Sequence, residues 1–193
     1  MEITFKKGLI LLAFIGFTGL AKAQYSAVPD TARISYGIDA GVTSGGFSEQ
    51  YKTALGVSVQ YDLPLTEKFY FTANLGYLDF FANNSAQNNE HIINVPSSSM
   101  SVVPLKVGIK YYLIRTFYIQ GEYGGDLLLN KSSVYGLNGT GLNYDGQIGI
   151  LFKKQNKNYI DVGIRYQLQQ SFYGDGEYGA MYVARIAYAF NLK

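Results

Sequence analysis

The sequence predicts an all-β chain that closes into an eight-stranded antiparallel up-and-down transmembrane β-barrel, preceded by a cleavable signal peptide. Three observations predict it. Segments of alternating polarity recur eight times between residues 33 and 193, their connections alternate long and short, and the apolar face of each segment carries no charge at mid-strand. Alternation follows from strand geometry, because successive side chains point to opposite sides of a sheet. Residues 102–123 show the pattern most plainly. Val103, Leu105, Val107, Ile109, Tyr111 and Leu113 share one face, and Pro104, Lys106, Gly108, Lys110 and Tyr112 share the other. After Ile114, Arg115 and Thr116, the return segment sets Phe117, Ile119, Gly121 and Tyr123 against Tyr118, Gln120, Glu122 and Gly124. An uncharged, aromatic-ended face backed by glycine, lysine and glutamate suits lipid on one side and a polar lumen on the other.

The chain has 193 residues, with 22 Gly, 18 Tyr, no Cys and no Trp, a composition suited to one domain of many short strands. Its first 23 residues read as a secretion signal. Lys6 and Lys7 precede an apolar run from Gly8 to about Leu20, and Ala21, Lys22 and Ala23 form a small-x-small cleavage site. That run is shorter than the roughly 20 residues a spanning helix needs. Cleavage there removes Lys6, Lys7, Lys22 and Glu2, leaving 13 basic and 13 acidic residues, so the balance excludes nucleic acid as a partner. Without cysteine, a secreted chain has no disulfide framework and depends on its sheet. Residues 24–32, small, polar and containing Pro29, read as a flexible lead-in, and residues 33–193 as the barrel.

In order, the first strand carries Ile34, Tyr36, Ile38, Ala40 and Val42 on its apolar face, and residues 43–52 form a long loop. Leu55, Val57, Val59 and Tyr61 mark the second strand, with a short turn at residues 63–67. Phe69, Phe71, Ala73, Leu75 and Tyr77 mark the third, followed by an Asn- and Ser-rich loop at residues 80–98. The hairpin described above supplies the fourth and fifth strands. Residues 127–141 are the third long loop, in which Leu127, Leu128 and Leu129 could carry a hairpin above the membrane. The sixth strand shows Leu142, Tyr144, Gly146, Ile148, Ile150 and Phe152, and residues 153–158 are the last short turn. Ile160, Val162, Ile164, Tyr166 and Leu168 form the seventh strand, and residues 169–178 the last long loop. Tyr182, Ala184, Ile186, Tyr188, Phe190 and Leu192 close the barrel. Each segment supplies about 9–11 residues, enough to cross a bilayer at a tilt. Long loops outside and short turns in the periplasm fit the connections without exception.

A Lys or Arg on the lipid face costs about 2–4 kcal/mol at the bilayer midplane, which explains why mid-strand charges keep to the other face. They are Asp39, Lys106, Lys110, Glu122, Asp145, Asp161, Arg165 and Arg185, the expected polar network of the lumen. Paired, they plug a barrel that is only wide enough for its own side chains; unpaired, they would line a narrow conducting path. Tyrosine and phenylalanine near strand ends, such as Tyr61, Tyr77, Tyr144 and Tyr188, take the place of tryptophan in the interfacial girdles. Pro104 lacks an N–H for the ladder and reads as a register device.

His91, beside Glu90 and with Ser85 and Ser97 to Ser99 in the same loop, is the one arrangement that invites a hydrolase reading. A serine nucleophile needs a base held within hydrogen-bond reach, and a polar loop gives no sign of that order, so no catalysis is expected. One histidine and no cysteine leave no transition-metal pattern, and Asp175 and Glu177 read as solvated loop carboxylates rather than Ca²⁺ ligands, so no cofactor or metal is expected.

The segments VPLKVGIKYYL and FYIQGEYG, together with the signal sequence, the Gly- and Tyr-rich strands and the terminal AYAFNLK, resemble the outer-membrane β-barrel family common in Bacteroidota. The resemblance implies a compact barrel in the bacterial outer membrane and leaves the activity open. Asp30, Thr31 and Ala32 are similar to the O-glycosylation sequence of exported proteins in that group. The last strand resembles the signal read by the outer-membrane assembly machinery, although Asn191, Leu192 and Lys193 follow Phe190. The implied partners are outer-membrane lipid, that machinery and an extracellular ligand of the loops.

Two functions and one rival fold follow. The first is a non-enzymatic barrel presenting loops in a structural, adhesive or binding role, since function on a rigid scaffold concentrates in loops. The second is a narrow channel for ions or small solutes. The rival is a soluble periplasmic lipocalin-like barrel, which needs the apolar face inside around a ligand and the charged face outside.

Overall fold

The computed structural model describes residues 31–45, 47–83, 99–130, 138–154, 158–170, 172 and 178–192. The expected signal sequence, the lead-in as far as Asp30, the cluster of Ser85, Glu90, His91, Ser97 and Ser98, and Asp175 and Glu177 lie outside them. Eight strands form one closed antiparallel barrel in chain order. They are β1 (Arg33–Ser44), β2 (Tyr51–Pro64), β3 (Phe69–Ala82), β4 (Met100–Tyr112), β5 (Phe117–Leu128), β6 (Thr140–Lys153), β7 (Asn158–Gln170) and β8 (Tyr178–Asn191). Each pairs with the next, and β8 returns to β1 through Ile38↔Ile186 and Asp39↔Arg185, so no edge is left to pair with another chain.

Short connections gather at one end of the barrel and long ones at the other. At the turn end the chain reverses within four residues. Leu65 and Thr66 donate backbone N–H to Phe69 O at 2.8 and 3.0 Å, while Phe69 N donates to Thr66 Oγ1 at 3.0 Å. The next turn repeats this with Leu113 N to Phe117 O at 3.0 Å. At the loop end the first connection is shorter than the expected span of residues 43–52. After Gly45, whose φ of 66° suits glycine, a single helical turn α1 (Phe47–Gln50) leads directly into β2. Thr43 Oγ1 donates to the carbonyl of Tyr51, tying the two strand ends together.

The strands are 12–14 residues long, more than their alternating pattern indicated. β3 continues to Ala82, β5 to Leu128 and β7 to Gln170, so Leu127 and Leu128 belong to the barrel wall rather than to a separate hairpin. The physical cause lies on the inner face. Near the loop end it holds Tyr51, Ala54, Leu78, Phe80, Met100, Val102, Leu128, Met181 and Val183, so much of it is apolar on both faces and alternation fades. The expected polar lumen persists over that stretch only on the β5–β7 side, where Asp126, Asn143, Gln167 and Gln169 are buried.

Outside, the belt is apolar and bare. Ile38, Leu105, Ile164 and Ile186 remain 59–66% exposed, a contiguous surface that water would not tolerate on a soluble protein. Asp79, on the outward register near the loop end, accepts from Tyr77 OH at 3.0 Å and from Ser101 Oγ, and it marks the upper edge of the belt. Paired rings flank the belt at both ends. Phe69 and Tyr111 stand 4.6 Å apart near the turns, and Tyr166 and Tyr182 stand 5.1 Å apart near the loops. The soluble lipocalin-like alternative requires the opposite arrangement, and the charged inner face excludes it.

Pro104 opens the ladder without shifting it. Leu75↔Leu105 and Leu78↔Val102 keep one register across β3 and β4, with the pairs between them missing where the proline has no N–H to give. The register shift lies elsewhere, between Tyr51 and Thr53 on β2. Gly108 and Gly124 lie on the paired strands β4 and β5. A Cβ at either would lie 2.0 Å from a carbonyl oxygen of the facing strand, Gly121 O and Leu105 O respectively.

Candidate functional site

The lumen holds three layers. In the middle one, the period-two rule brings charges from seven strands to the axis, where they meet across the barrel. Lys106 Nζ lies 2.5 Å from Asp145 and 3.6 Å from Glu122. Lys110 Nζ lies 2.8 Å from Asp62 and 3.6 Å from Asp161. Arg165 stands 3.7 Å from Asp145 and 3.9 Å from Asp39, and Arg185 stands 3.9 Å from both Asp39 and Asp161. Read in order, Glu122, Lys106, Asp145, Arg165, Asp39, Arg185, Asp161, Lys110 and Asp62 form one chain of alternating sign. All nine are buried.

Neutral side chains take up much of the remaining hydrogen bonding. Ser58 donates to Asp39 at 2.5 Å and accepts from Arg185 Nε at 3.2 Å. Thr72 donates to Glu122 at 3.1 Å, Tyr118 OH to Asp161 at 2.6 Å, and Gln60 to Asp62 at 2.6 Å. Gln147 bridges two strands, donating to Tyr118 OH at 2.6 Å and accepting from Arg165 Nε at 3.1 Å. A carboxylate in a low-dielectric interior is tolerated only when paired and hydrogen-bonded in this way. A cavity beside Asp39, Asn74 and Arg165 measures about 20 Å³, the volume of a single water, so no continuous passage opens there.

Apolar and aromatic layers cover both ends of this network. Toward the loops, Phe47 of α1 packs against Tyr51 and Phe80 with centroids 5.3 and 5.4 Å apart, and Phe172 joins the same buried cluster. The first long connection therefore folds inward as part of the cover. Toward the turns, Tyr70, Tyr112, Tyr118 and Leu151 form a second cluster, with Tyr159 against it.

All eight charges expected in the lumen lie on its inner face and in one chain. The expected network left out Asp62, Asp126 and Arg33, which are buried there as well, although the alternation on β2 sets Asp62 on the polar face with Ser58 and Gln60. Each stands near a strand end, outside the mid-strand window, yet parity was available to find them: Arg33 shares a face with Ser35 and Asp39, and Asp62 with Gln60. Asp126 belongs to the loop-side half and accepts both contacts of Asn143 Nδ2, at 2.9 and 3.1 Å.

The fold defined by these strands and faces is that of the eight-stranded outer-membrane barrels. Neisserial surface protein A superposes with a TM-score of 0.58 at 9% identity, covering 83% of this chain and 97% of its own. The outer membrane protein AlkL, in its solid-state NMR structure in DMPC bilayers, gives 0.52 at 11% identity, with 89% and 94% covered. Ail, an outer membrane protein of Yersinia pestis, in a phospholipid bilayer nanodisc gives 0.50 at 14% identity, with 82% and 99% covered. No protein-family model matches the chain, and no curated protein does. At these identities the likeness is one of fold.

Proposed function

We propose that the chain is an integral, non-enzymatic barrel of the bacterial outer membrane that presents its long connections to the outside in a structural, adhesive or binding role. The observation that carries this reading is the pairing of a bare apolar belt with a lumen filled from wall to wall by the alternating ion-pair chain. A filled lumen serves as a scaffold and not as a conduit, which leaves the loops as the working surface. The last strand, β8, is the surface offered to the assembly machinery, and outer-membrane lipid contacts the belt.

Two measurements test the reading. In planar bilayers the folded protein is expected to give no stable channel; a steady unitary conductance would transfer the chain to the channel reading. Topology is tested with single cysteines, which no native cysteine confuses. Glu49→Cys and Asn138→Cys, at the loop end, should react with a membrane-impermeant thiol reagent on intact cells. Thr116→Cys and Lys154→Cys, at the turn end, should react only after the outer membrane is opened. Labelling of Lys154→Cys on intact cells, with Asn138→Cys protected, would reverse the orientation.

A further inference from the structure

Each buried cation of the central chain has two carboxylates within 4 Å, but Arg33 has none among the described residues. It is nevertheless only 7% exposed. Its register partner Asp62 is engaged by Lys110 at 2.8 Å. Asp62 acts on Arg33 only from beyond 4 Å, and the guanidinium carbon itself lies over three rings, 4.7 Å from Tyr70, 5.3 Å from Tyr112 and 5.7 Å from Tyr159. Rings hold a cation in position without neutralising it.

This group forms the inner end of a cavity of about 680 Å³ that opens at the turn end of the barrel. Lys68 and Arg115 stand on its rim with Glu67, the one acidic residue in its lining among the described residues, and Lys153 and Lys154 lie at the same end. A strand barrel filled by its own side chains has no structural need for such a space. Its volume falls within the range of small-ligand sites, roughly 300–1,000 Å³, and far exceeds that of a bare oxyanion.

We propose that the turn-end mouth is a binding site for a soluble ligand of short-peptide or sugar size that carries a carboxylate or phosphate. The anion meets Arg33, whose planar fork matches either group with two parallel hydrogen bonds. The ligand's body lies along the tyrosine rings, and Lys68 and Arg115 draw it in. Approach is along the barrel axis, because Arg33 points into the lumen and a lipid headgroup stands outside the wall. The periplasmic origin of the ligand rests on the orientation proposed above, whereas the anion site itself does not; failure of the cysteine test and failure of the binding test are therefore separate events.

The test uses the full chain folded into zwitterionic micelles and follows the side-chain Nε–H resonances of its four arginines, Arg33, Arg115, Arg165 and Arg185. Acetyl-alanyl-alanine, its C-terminal amide, inorganic phosphate and a short-chain phosphatidylglycerol are titrated separately. The dipeptide acid or phosphate is expected to move Arg33 saturably, while Arg165 and Arg185, enclosed in the ion-pair chain, stay still. Arg115→Gln, an exposed turn substitution that leaves the tyrosine layer intact, should weaken binding by about twofold to fivefold, as an exposed charge contact does. Arg33→Lys, which keeps the charge and loses the fork, should weaken it roughly tenfold or more. The proposal is overturned if neither soluble anion moves Arg33, if the amide moves it equally, or if only the phosphatidylglycerol does.

Discussion

Val107→Arg is expected to lower the stability of the membrane-inserted barrel by about 2–4 kcal/mol. Val107 sits at mid-strand on β4, on the outer face and 47% exposed, with Ala73 and Tyr123 as its register neighbours. An arginine there must hold its charge in hydrocarbon or drag water and headgroups toward the midplane. Ile148→Arg, 53% exposed on β6, should behave alike. Equilibrium unfolding in lipid vesicles reads the difference, and heat-modifiable electrophoretic mobility reports the folded fraction. Lys154, exposed at the turn end, supplies the control, since Lys154→Arg should change nothing measurable. Equal tolerance at Val107 and Lys154 would remove the lipid-facing assignment. The neighbouring inward position does not offer an easy contrast. Reading the sequence alone, arginine at Gly108 would be limited by lumen volume, but the facing carbonyl 2.0 Å from its Cβ position rules out even alanine without backbone movement.

The largest single loss is expected from Lys106→Met. Its ammonium stands between Glu122 and Asp145, and all three side chains are at most 1% exposed. Removing it strands two carboxylates in a buried layer, and breaking a buried pair by deleting one partner costs about 3–5 kcal/mol. Asp145 keeps Arg165 at 3.7 Å, so Glu122 bears most of the loss. Adding Glu122→Gln should therefore restore a substantial part of the stability, with Thr72 still able to donate to the amide oxygen. A double variant no more stable than Lys106→Met would mean that the two charges are not coupled. A single variant within about 1 kcal/mol of the parent would mean that the chain of charges is solvated and contributes no more than exposed pairs do.

The strand count, the sidedness of the strands and the inward placement of Asp39, Lys106, Lys110, Glu122, Asp145, Asp161, Arg165 and Arg185 were all legible in the amino-acid sequence. Each is a consequence of parity, a local property of an extended chain, and a charged residue on the wrong parity would have to enter lipid. Parity says nothing about height along the barrel axis or about which strands face each other across the lumen. Those follow from register and closure, and they decide that Lys110 meets Asp62, 48 residues away, and that Arg185 meets Ser35, 150 residues away. They also gather Phe80, Met100, Leu128 and Met181 into a layer that hides the strand ends from any alternating pattern. Arg33 illustrates the division most simply. Its face was determined by its place two residues before Ser35, but only the closed barrel sets three tyrosines from β3, β4 and β7 around it and leaves it with no carboxylate within 4 Å among the described residues.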